Sequence, residues 1–149
     1  MVSDLNRIGG WLIPVALGLV IAPFGCLNAI VTDYQTLSGG EFQNSPSQQS
    51  PLGNLVVIEI GINAVLIAAL LWLNALFFTK KRAFPGWMIV FLISQLCVTT
   101  MFFLAALAVV PSMNGATILA TVLRPFLAAL IWIPYFRTSK RVKATFVNP

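Results

Sequence analysis

The sequence predicts an all-α, polytopic membrane protein: a four-transmembrane-helix bundle with both termini cytoplasmic. Three observations carry this. Of 149 residues, 58% are apolar and only 9% charged, where a soluble domain carries about a quarter charged. The mean hydropathy is +0.90, and four apolar runs are each long enough to cross a hydrocarbon core of about 30 Å as a helix. Of the nine Lys and Arg, all but Arg124 lie in the N-terminal start, one central turn or the C-terminal tail. Basic loops stay in the cytoplasm, so these three segments face inward.

The central turn, Lys80-Lys81-Arg82-Ala83-Phe84-Pro85-Gly86, sets the direction of every span. It joins two apolar runs into a helical hairpin with its tip inside the cell. The start, residues 1–7, is short and polar. It makes a poor signal peptide, because the run behind it is too long for an h-region and no small-x-small site follows.

Span one covers about 8–31 and holds Gly9, Gly10, Gly18, Gly25, Pro14 and Pro23. Each proline leaves a carbonyl four residues earlier without its donor. Small residues let backbones approach in lipid, so close packing, with a kink near Pro23, is the expectation. Residues 32–54 form the one long loop, rich in Ser, Gln, Gly, Asn and Pro. It carries Asp33 and Glu41 but no Lys or Arg, as a translocated loop does.

Span two, about 55–79, holds Glu59, Asn63 and Asn74. At 100° per residue these share a stripe, which should face protein rather than lipid. Span three, about 87–110, places Ser94, Gln95, Thr99 and Thr100 near its middle, where interhelical hydrogen bonds are expected. Residues 111–115 make a tight uncharged turn. Span four, about 116–136, opens with Ala116 and Ala120 at small-xxx-small spacing. Thr117, Thr121 and Arg124 follow on one face, with Pro125 and Pro134 behind them.

The tail, 137–149, alternates Arg137, Lys140, Arg141 and Lys143 with Val142, Phe146 and Val147. Such a segment suits the headgroup layer, with its cations on anionic lipid and its apolar groups dipped inward; a plain topology signal with a frayed end is the alternative. Trp11, Trp87, Trp132 and Tyr135 gather at the same interface as an aromatic belt.

Several function classes are excluded. The chain has no histidine and two cysteines, Cys26 and Cys97, with no C-x-x-C pair. Zinc, haem and thiol-redox chemistry lack their ligands, so no cofactor or metal is expected. The two cysteines read as buried small hydrophobes. The net charge of +5 is explained by span ends, so no nucleic acid partner is expected.

Two stretches carry a family resemblance: Gly9-Gly10-Trp11-Leu12, and Trp132-Ile133-Pro134-Tyr135-Phe136 with Ser139-Lys140-Arg141-Val142-Lys143-Ala144-Thr145-Phe146. Together they resemble a family of small bacterial inner-membrane proteins catalogued as domain of unknown function 2569. The resemblance implies four helices and a bacterial inner membrane, in which the translocated 32–54 loop would be periplasmic. It implies no activity and no site residues.

The expected function is that of a small non-catalytic membrane protein, an accessory, scaffold or regulatory subunit. Its expected partners are a bilayer with anionic headgroups and either another membrane protein or further copies of itself. The alternative is a small oligomeric transporter or channel. Glu59 and Arg124 are the only acid and base within the spans, with Asn63 and Gln95 as polar neighbours. Glu59 lies roughly 6 Å and Arg124 roughly 12 Å below the outer ends of their helices, and Arg124 leans outward. The two are therefore expected to pair. An enzyme would need a placed acid–base pair or metal, and none is legible.

Overall fold

The computed structural model describes residues 10–39, 51–109 and 115–148. The basic start at 1–7, Gly9, the loop stretch 40–50 and the turn 111–114 lie outside them, as do the side chains of Ala116 and Thr117. The described chain is helical: α1 Leu12–Ser38, α2 Pro51–Phe78, α3 Phe84–Val109, α4 Gly115–Thr138 and a short α5 Lys140–Thr145. Three of these, α1, α2 and α3, are long and apolar enough to cross a membrane.

The chain divides into two compact units. One comprises Met1–Leu17 and Leu73–Pro149, the other Gly18–Trp72. In the first unit α3 and α4 pack along each other. Its buried side chains include Leu12, Leu73, Phe77, Phe84, Met88, Leu92, Ala129, Phe136, Val142 and Phe146. In the second unit Ile21, Leu27, Val57 and Val65 stand exposed. In water such a surface would aggregate; in lipid it is the solvated face.

Helix ends differ from the expected spans for local reasons. α1 runs on to Ser38 and takes in the first residues expected in the loop. Thr32 and Thr36 permit this by donating their hydroxyls to the carbonyls of Asn28 (3.0 Å) and Thr32 (2.9 Å), which keeps a polar side chain on the helix. Asp33 is thereby a helical residue. α2 begins at Pro51, where a missing N–H costs nothing.

The helix continues through Pro23. A methyl added at Gly18 or Gly25 would meet nothing within 4 Å, so the close backbone packing expected at these glycines is not there among the described residues. The expected interhelical bonds of span three are also absent among them. Ser94 donates to Phe91 O (2.9 Å) and Thr100 to Leu96 O (2.8 Å), and Gln95 reaches Thr99 on its own helix at 3.5 Å. A helix in lipid satisfies its short polar side chains most cheaply on its own carbonyls. Both cysteines are free, with Cys26 half-buried and Cys97 exposed rather than buried.

Candidate functional site

The tip of the α2–α3 hairpin is built by backbone geometry. Lys80 takes a left-handed φ of 53°. Its N–H donates to Phe77 O (3.1 Å), and Lys81 N–H donates to Leu76 O (3.0 Å). These two bonds form a Schellman stop, with lysine where glycine is usual. Phe84 then opens α3, its N–H donating to Lys81 O at 3.1 Å.

The chain beyond α4 folds back onto this tip. Ser139 caps α5 by accepting from Val142 N at 3.4 Å. Val142 in the short helix and Phe146 at its C-cap, whose N–H donates to Val142 O, are 1% and 4% exposed. Phe146 stacks on Phe84 with ring centroids 4.6 Å apart and lies 5.5 Å from Phe77. Phe84 also meets Phe77 (5.1 Å) and Phe136 (5.8 Å) edge-on. Pairs of this kind add roughly 0.5–1.5 kcal/mol beyond burial.

Asn148 fastens the end. Its N–H donates to Lys80 O (3.1 Å), its carbonyl accepts from Arg82 N (2.8 Å), and its Nδ2 donates to Thr79 O (2.8 Å). Asn148 and Lys81 form an isolated parallel bridge.

The start of α1 joins the same end. Leu12 is fully buried, and Trp11 meets Trp132 edge-on at 6.3 Å. Gly10 has φ +59°, and the place its Cβ would take is occupied by Nη1 of Arg141. The two stretches that carried the family resemblance, far apart in sequence, are thus neighbours in space.

The expectation that the tail dips its apolar groups into lipid is corrected for Val142 and Phe146. They pack on the hairpin tip because Phe77, Phe84 and Phe136 offer a preformed apolar surface at the same level. Arg137, Lys140 and Lys143 stay exposed and Arg141 half-buried. With Lys80, Lys81 and Arg82 they make one cationic platform on an ordered frame. Its anchors, Phe84 and Asn148, are invisible to a reading of charge. The signal that could have found them is the i,i+4 pair Val142 and Phe146 beside a phenylalanine in an otherwise basic turn.

The other candidates are placed as follows. Glu59 and Asn63 belong to the Gly18–Trp72 unit, where Asn63 Nδ2 donates to the backbone carbonyl of Glu59 at 3.0 Å. Because α1 is longer than expected, Asp33 is a helical residue of the same unit as Glu59. Asp33 Oδ2 is buried without a hydrogen-bond partner among the described residues, as is Gln95 Oε1. Gln95 and Arg124 belong to the other unit, and Arg124 is exposed on α4.

Residues 5–147 match the family described as "Protein of unknown function (DUF2569)". The chain is 32% identical over 151 residues to the inner membrane protein YdgK of Escherichia coli (strain K12), an alignment covering 97% of this chain and 96% of that protein. No solved structure matches.

Proposed function

We propose the following reading for this chain, which belongs to the family described as Protein of unknown function (DUF2569). It is a multi-pass protein of the inner membrane. α4 is a fourth crossing, so both termini and the hairpin tip are cytoplasmic. Its 24 residues are about 36 Å of helix, enough for the core, and the positive charge of the tip and tail supports that orientation.

Its role is that of a non-catalytic accessory or scaffold protein working through the inward platform. The observation that carries this is the fastening of the tail to the hairpin tip by Phe146 and Asn148. A topology signal needs charge alone. Ordering a tail costs conformational entropy at every residue, and a fixed array of cations is useful for recognition. Arg137, Lys140, Arg141 and Lys143 meet anionic headgroups and the acidic surface of a membrane protein partner or a further copy.

The test is crosslinking and mass spectrometry from native membranes. A co-purifying complex that is lost on Phe146→Asp supports the reading. Recovery of the same complex with the tail undocked, or uncomplexed protein only, overturns it. Reporter fusions after Phe84 and Pro149 should read cytoplasmic; an outside signal from the second removes the fourth crossing.

One observation favours a second reading, a small oligomeric transporter or channel using Glu59 and Arg124. Asp33 and Glu59 are acids on two helices long and apolar enough to cross a membrane, where acids commonly serve ion or proton paths. Proton-linked uptake into proteoliposomes that is abolished by Glu59→Gln would establish it; no uptake would remove it.

A further inference from the structure

A groove of about 280 Å³ runs along α4, lined by Phe126, Ala129, Leu130, Ile133 and Pro134, with Leu96 of α3 as its other wall. Its floor is low because Ala129, 7% exposed, has only a methyl group to fill it. The rim is apolar: Phe126 and Leu130 are 48% and 59% exposed. Sites for compact drug-sized ligands are enclosed and run roughly 300–1,000 Å³. A smaller, open-sided trough suits a slender chain instead.

The stripe of α4 that lines this groove ends in a cation. At 100° per residue, Arg137 lies about 20° from both Phe126 and Leu130 around the helix. Arg137 is in the last turn of α4 and exposed. A helical side chain leans toward its own N-terminus, which for Arg137 is the groove. From Phe126 to Arg137 is about 16 Å of helix, and half of a hydrocarbon core is about 15 Å. The trough and its cation therefore match one leaflet in length, with charge at the headgroup end and hydrocarbon beyond it.

We propose that this groove is a binding site for one anionic phospholipid of the inner leaflet, its acyl chain along Phe126–Pro134 and its phosphate at Arg137. The proposal rests on the fourth crossing argued above. It goes beyond general attraction of the platform to acidic membranes, because it assigns one lipid to one groove and one cation.

The experiment uses the full chain in vesicles carrying a phosphatidylglycerol with a photoactivatable group on its acyl chain, and the matching phosphatidylcholine as control. Crosslinks are mapped by mass spectrometry. Phosphatidylglycerol should label peptides covering 126–134 about fivefold more than phosphatidylcholine, the effect of one cation near an anionic surface. Arg137→Gln should abolish that preference, while Arg137→Lys, which keeps the charge, should retain it. Leu130→Trp, a substitution on the exposed rim, should reduce labelling by both lipids. Equal labelling by the two lipids, or a preference unmoved by Arg137→Gln, overturns the site. A C-terminal reporter that still reads cytoplasmic in that case locates the failure in the groove; one that reads outside locates it in the fourth crossing.

Discussion

Phe146 lies on Phe84 with 4.6 Å between ring centroids and 28° between ring planes. One ring comes from the basic turn and the other from the tail, and each is almost wholly buried. Their contact turns a basic tail and a basic turn into one surface. Lys140, Arg141 and Lys143 of the tail take their positions from this stack and from the Asn148 strap.

Phe146→Ala should therefore release the tail. Truncating a buried phenylalanine costs about 3–5 kcal/mol, far more than a six-residue helix can supply alone. Amide exchange across 140–148 should rise to that of an unfolded segment. Asn148→Ala should cost only about 0.5–1 kcal/mol, since it removes one exposed neutral hydrogen bond and keeps the two made by the backbone. Slow exchange in Phe146→Ala would show that the stack is not what holds the tail.

Lys80→Gly should stabilise the hairpin tip. A left-handed φ of 53° is costly for a residue with a Cβ and free for glycine. The expected gain in a detergent-unfolding experiment is about 0.5–1 kcal/mol, after allowing for the entropy glycine adds to the unfolded chain. Lys80→Val should lose stability instead. Topology should be unchanged in both, because Lys81 and Arg82 remain.

Gly10→Ala should destabilise by about 1 kcal/mol through its φ of +59°. The Arg141 guanidinium also occupies the new methyl's place, but it is the far end of a flexible side chain and can swing aside. Adding Arg141→Ala should therefore fail to restore stability. Full rescue by the double change would assign the cost to the guanidinium and not to the backbone.

The sequence by itself determined the solvent, the helices and the sorting of charge. Those properties are sums over some twenty consecutive residues, and a composition so poor in charge admits few alternatives. Even there, Asp33 escaped, because Thr32 and Thr36 look like loop residues until their hydroxyls are seen returning to α1's own carbonyls. What only the tertiary structure decided is where the tail goes. Asn148 meets Thr79 across 69 residues of chain, and α5 has six residues, too few for a periodicity to register. Whether Val142 and Phe146 enter lipid or protein depends on an apolar surface that exists only once Phe77, Phe84 and Phe136 have been brought together by their helices.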